Sequence, residues 1–129
     1  MEKQFISIIT RSQSTKVYQD DILMIRQQNR KVTVVTDDGE YEFYAKMKEV
    51  CALLHSRFFL CSRGLVVNFD NVVRIADCTI RFANDVFIQV SREVFFRTRK
   101  AFNLYLREME GQGRTENDSE ISKDRKEKK

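Results

Sequence analysis

Residues 57–68, RFFLCSRGLVVN, constrain this chain more than any other stretch. A run of strand-forming residues meets Ser62-Arg63-Gly64, and a second apolar run then closes on Asn68. Phe, Leu and Val suit a pleated, half-buried surface, and a glycine between two such runs marks a bend. The segment therefore predicts strand–turn–strand, with Arg63 pushed outward at the bend of a buried sheet. Two further basic corners accompany it: Asn29-Arg30-Lys31, and Arg92 in the Val90-Ser91-Arg92 segment, where a sheet should give way to a helix. Three basic corners on a β-rich body suit the reading of nucleic acid by loops and poorly suit an enzyme.

The rest of the chain agrees with a β body. Strand signals fall at residues 5–9, 22–25, 32–36, 40–44, 58–61, 65–67, 72–75, 79–82 and 86–90. The run at 22–25 is apolar throughout and predicts a strand buried on both faces. Asp37-Asp38-Gly39 between two of the runs is a strong hairpin signal, because glycine supplies the positive φ of a tight turn. Asn84-Asp85 should turn the chain again. Two helices are predicted. Residues 46–55 place Met47, Val50, Cys51 and Leu54 on one face, and a longer helix follows Ser91, a favourable N-cap. No helix pair has helix-turn-helix spacing, so a recognition helix is not the expected reader.

Composition narrows the class. At 129 residues with 42% hydrophobic content, one domain with its own core is expected. The body should occupy 1–108, and 109–129 should form a disordered charged tail, since beyond Gly111 only Ile121 is a large apolar residue. Its basic end could act as an arm on DNA phosphates. No apolar run approaches the ~18 residues of a membrane span, and the N-terminus is no signal peptide, so the cytoplasm is expected. Cys51, Cys61 and Cys78 lack CxxC spacing and read as structural thiols, with a redox role for Cys61 beside Arg63 as the alternative. His55, the one histidine, is expected at the end of the internal helix, either in solvent or in favourable contact with the helix dipole. No catalytic set can be assembled around it, and no metal, cofactor or small-molecule substrate is expected. Phe58, Phe59, Phe82, Phe87, Phe95, Phe96 and Phe102 fall where periodicity predicts core. Arg97, Arg99 and Lys100 read either as phosphate contacts or as an exposed helical face.

The order of these pieces resembles a LytTR domain, the DNA-binding domain of LytTR-type bacterial response regulators. The resemblance spans about 22–106. It rests on the hairpin unit DILMIRQQNRKVTVVTDDGEYEFYAKMKEV, on FFLCSRGLVVNFDNVVRI, and on Val90-Ser91-Arg92 before a helix. It implies a mainly β fold: an elongated array of small antiparallel β-sheets with a short internal helix and a C-terminal helix. Loops of such domains enter successive major grooves at promoter direct repeats. Arg63 matches the arginine of the family's polar triplet, Asn68 its closing asparagine and Arg92 a basic residue of the late loop, while Asn29-Arg30-Lys31 occupies the early reading loop.

The expected DNA-binding residues are thus Asn29, Arg30, Lys31, Ser62, Arg63, Gly64 and Arg92. Arg30, Arg63 and Arg92 are the candidate base readers, and Asn68 is read as a structural turn-closing residue. Ser62 stands where histidine is common and Gly64 where serine is common, so the recognised sequence should differ from the family's usual one. Double-stranded DNA is the expected partner, with a second copy on tandem repeats and a membrane-embedded inhibitor as further candidates. No receiver domain is expected before the body, which assigns regulation to expression level, a partner or the tail. Two rival functions stay open: a protein-interaction module that no longer binds DNA, and a binder of single strands or RNA that would expose aromatic stripes.

Overall fold

The computed structural model describes residues 4–111. The expected tail lies outside the described residues from 112 onward, and its first three positions complete the last turn of a helix. Ten strands run in chain order: β1 (Phe5–Ile9), β2 (Ser14–Tyr18), β3 (Ile22–Gln28), β4 (Lys31–Thr36), β5 (Gly39–Tyr44), β6 (Phe58–Ser62), β7 (Leu65–Asn68), β8 (Val72–Ala76), β9 (Thr79–Phe82) and β10 (Phe87–Gln89). Helix α1 (Met47–Cys51) sits between β5 and β6, and α2 (Arg92–Gly111) ends the described chain. The fold is mainly β, in several small antiparallel sheets with a short internal helix and a C-terminal one, as expected.

A five-stranded sheet, ordered β5-β4-β3-β7-β6, forms the middle layer. Its alternating residues feed two separate cores, because successive side chains of a strand point to opposite faces. On one face Met24, Val35, Leu65 and Val67 pack with Ile75, Ile80 and Phe82 of the three-stranded sheet β10-β9-β8 and with Phe102 of α2. On the other, Ile25, Val32, Val34 and Val66 pack with Ile6, Ile8 and Val17 of the β1-β2 hairpin and with Met47 and Val50 of α1. Covering on both faces explains why residues 22–25 are buried without exception.

The predicted turns are present for the predicted reasons. Gly39 has φ 145°, and Thr36 Oγ1 donates to the Gly39 carbonyl at 2.9 Å while accepting from the Asp38 N–H at 3.2 Å. Asn84 and Asp85 have φ 65° and 64°. Three expectations need correction. The internal helix is Met47–Cys51, not 46–55; the chain leaves it through a turn that keeps Leu54 half-buried. β2 was not foreseen, since Val17 is its one buried residue. Phe87 and Phe96 are 52% and 57% exposed, so they are not core. Arg81 stacks on the Phe87 ring at 5.1 Å, and Phe96 packs edge-on against Phe95, so both rings rest on neighbours rather than in a core.

Polar side chains lock one end of the central sheet. Asn68 is fully buried; its Nδ2 donates to the carbonyls of Gln19 (3.2 Å) and Ile22 (3.0 Å), and its Oδ1 accepts from the Asp70 N–H at 3.1 Å. It is the structural residue expected. Asn71 Nδ2 reaches the carbonyls of Asp20 (2.9 Å) and Ile22 (2.8 Å). Buried Gln19 donates to the Leu53 carbonyl at 2.8 Å and accepts from the His55 N–H at 2.9 Å, which ties the exit of α1 to the start of β3. These amides bond backbone groups in and beside the short 3-10 turns at Gln19–Asp21 and Phe69–Asn71 and at the exit of α1.

Candidate nucleic-acid interface

The opposite end of the sheet carries the basic corners. β3 runs into the two-residue turn 29–30 and returns as β4. Leu65, the first residue of β7, pairs with Arg26 near the end of β3, so the turn 63–64 projects from that same end. Arg30 and Arg63 therefore stand on neighbouring bends, not on unrelated faces. The late corner is tied to them through α2: Ser91 Oγ accepts from the Val94 N–H at 3.2 Å, capping the helix as expected. Five residues after Arg92, or about 7.5 Å along the helix axis, Arg97 forks onto the Cys61 carbonyl through Nε at 3.2 Å and Nη2 at 2.5 Å.

Each corner has a physical reason for its shape. Asn29 has φ 60°, a conformation asparagine tolerates better than most residues, so its first duty is to the turn. Gly64 is needed for close approach: a Cβ there would lie 2.9 Å from the Gln27 carbonyl oxygen, and the Gly64 carbonyl accepts from the Gln27 N–H at 3.0 Å. A register shift between Leu60 and Ser62 in the β6–β7 ladder re-aims the strand just before Arg63. The Arg63 bend is thus gripped by β3 on one side and by Arg97 on the other. Arg97 does lie on the exposed face of α2, 46% accessible, but its head group also holds a backbone carbonyl, which was not foreseen from the sequence. The signal available was its spacing from Ser91, which puts it on the second turn of α2.

The side chains of Arg30, Arg63 and Arg92 are exposed and make no ion pair or hydrogen bond among the described residues. Lys31 differs, with its Nζ 3.5 Å from Glu42 Oε1. Ser62 is half-buried. Between the bends lies a cleft of about 370 Å³ lined by Arg26, Gln28, Lys31, Thr33, Gly64 and Ile88, among others. Arg26 and Gln28 were not foreseen as part of this surface. They extend the face that begins with Met24, and the clue was the change from ILMI to RQQ along one strand.

Two other groups bear on chemistry. Cys61 is fully buried, and burial pushes its thiol up to about 11, outweighing the hydrogen bond with Thr98 and the Arg97 charge; a buried thiol held protonated argues against the redox alternative. Asp20, His55 and Asp70 bring potential metal-ligating atoms within 4.8 Å of one another. Both Asp70 oxygens are engaged, however: Oδ2 by Arg57 Nε at 2.5 Å and Oδ1 by the Tyr105 hydroxyl at 2.7 Å. Burial and that bond to Asp70 push Tyr105 up to about 12. The cluster is an ionic knot fastening α2 to the sheet. His55 is neither in solvent nor at the helix end: it lies beyond α1, its side chain is 9% accessible, its Nδ1 accepts from the Arg57 N–H, and its ring leans on Phe58 at 4.7 Å. Its Nε2 is buried without a hydrogen-bond partner, 4.0 Å from Asp20 Oδ1. Burial first, then the Arg57 charge, lower its pKa.

The described residues thus form several small antiparallel sheets and two helices, with an exposed arginine at each of three corners. The profile of the LytTr DNA-binding domain family matches residues 12–103, and the chain belongs to that family. The family is a DNA-binding one, not an enzyme family. Among solved structures, the chain is similar to the LytTr DNA-binding domain of a Bacillus cereus protein described as a methyl-accepting/DNA response regulator. The TM-score is 0.63 at 17% identity, with 78% of this chain and 97% of that one covered. At that identity the likeness is one of fold. No curated protein matches. No helix of the described residues is long and apolar enough to cross a membrane.

Proposed function

We propose that this protein is a sequence-specific transcriptional regulator, acting in the cytoplasm on double-stranded DNA and catalysing no reaction. In this reading the bends at 29–31 and 62–64 and the corner at Arg92 enter the major groove at promoter direct repeats. The observation that carries it is the placement of Arg30, Arg63 and Arg92 on linked corners with their guanidinium groups unengaged. A guanidinium presents a planar fork that pairs with both acceptors of a guanine edge. Such a contact is strongest when no internal carboxylate competes for it. Asn29, Lys31 and Ser62 then contact bases or phosphates around these readers.

The test is Arg63→Ala in an anisotropy titration against a duplex selected from a random library and against random duplex. Loss of about 1–3 kcal/mol of discrimination is expected, with the thermal midpoint unchanged. An equal loss on both duplexes would sink the base-reading role and leave only a phosphate contact.

A further inference from the structure

The β1–β2 turn, residues 10–13, has no part in the reading above, and Arg11 precedes the first residue matched by the family profile. The turn nonetheless stands beside the Asn29-Arg30-Lys31 corner. Thr10 and Arg11 line one wall of a cleft of about 590 Å³ whose other residues are Ile9, Lys31, Glu42, Phe43 and Tyr44. Lys31 belongs both to this cleft and to the one between the Arg30 and Arg63 bends.

The backbone that carries Arg11 is held. The Thr10 N–H donates to the Gln13 carbonyl at 2.8 Å, and Thr10 Oγ1 accepts from the Gln13 N–H at 3.2 Å, so the turn has a fixed shape. Arg11 is exposed and has no ion pair among the described residues, whereas Lys31 is offset by Glu42 at 3.5 Å. These three charged side chains leave one unit of positive charge unanswered. The cleft is flanked by two apolar groups that folding leaves in water, Ile9 at 71% and Tyr44 at 77% exposed. A cation between apolar walls matches a polymer that alternates an anion with an apolar ring. The backbone of DNA is such a polymer, phosphate followed by deoxyribose.

We propose that this cleft seats a sugar–phosphate segment of the same duplex, just outside the groove entered by the Arg30 corner. Arg11 meets the phosphate, and Ile9 and Tyr44 pack on the sugar. The proposal rests on the DNA reading given above and extends its footprint to the β1-β2 hairpin. Because these groups touch only backbone, they add affinity and register without sequence information.

Hydroxyl-radical footprinting of the full chain on the selected duplex tests this, because the radical attacks exposed deoxyribose. The expected result is a patch of protected sugars flanking those covered by the Arg30 corner, lost in Arg11→Ala and weakened in Tyr44→Ala. Arg11→Ala should also reduce the slope of log affinity against log salt by about 0.9 and weaken selected and random duplexes by the same factor. Both side chains are exposed, so the thermal midpoint should hold; Arg11→Gln, which keeps part of the stem, checks any variant that melts early. An unchanged footprint and salt slope in Arg11→Ala, while Arg63→Ala still lowers preference, would overturn the cleft proposal and leave the base reading intact. Arg11-dependent binding of a poly-glutamate peptide with no protected patch would overturn it in favour of an acidic protein partner. The random-duplex salt slope needs no sequence preference, so failure of the Arg63 reading is detected separately.

Discussion

Arg57 and Arg63 stand at the two ends of β6 and have opposite fates. Arg57 gives its Nε to Asp70, which also takes the Tyr105 hydroxyl, and the Arg57 N–H meets His55. The Arg63 side chain makes no ion pair or hydrogen bond within the described residues. Around Arg57 the amides of Gln19, Asn68 and Asn71 satisfy buried carbonyls and amide groups. Around Arg63 the backbone is held firmly while the side chain is left free. The same strand thus separates a charge consumed in holding the fold from a charge left unengaged. Position in the sheet, and not residue type, decides which is which.

Three perturbations probe that contrast. The largest effect should come from Asn68→Ala, which removes two donors and a turn cap from a fully buried site. A loss of about 3 kcal/mol in urea unfolding is expected, with DNA discrimination kept by the fraction still folded. A variant as stable as the parent would show that the locked end is not what holds the sheet. Arg97→Ala should be milder, about 1 kcal/mol, since its side chain is 46% exposed and solvent competes for the bond. Its sharper effect is on recognition: with the Cys61 carbonyl released, the preference for selected over random duplex should fall although Arg63 is untouched. Unaltered preference would mean that the Gln27–Gly64 contact alone fixes the bend.

The smallest effect is on pH dependence. His55 is pulled below its ordinary value of 6.5 by burial and by Arg57. Below about pH 6.5 the unfolded chain takes up a proton that the folded chain resists, so stability falls as pH drops and levels off below the folded pKa. His55→Gln should flatten this part of the midpoint-versus-pH curve between about pH 7 and 5. Parallel curves for parent and variant would exclude His55 as the source.

What the sequence revealed follows the same division. Hairpins and buried strands were legible because their signals are local: the glycine at 39, the Asn84-Asp85 bend, the unbroken apolar run at 22–25. The Arg63 and Arg30 bends were legible too, since a basic residue at a turn between strands has few places to go but outward. Long-range partners were not. Nothing near His55 indicates that the 19–21 and 69–71 turns close over it, nor that Asp70 awaits Arg57 and Tyr105. β2 was lost because one valine among polar residues carries no period. Phe87 and Phe96 show the reverse error, since an aromatic residue in a periodic run can end beyond the edge of the layer that should cover it.

The close approach at Gly64 bears on how such a domain can diversify. The shape of that bend is set by main-chain contacts to Gln27 and by the Arg97 fork, none of which involves the side chain at 63. Residue 63 can therefore be exchanged while the scaffold beneath stays as it is, and under the proposed reading such an exchange would redirect the protein to other sequences. Lengthening the bend, or adding bulk at 64, would disturb the scaffold itself.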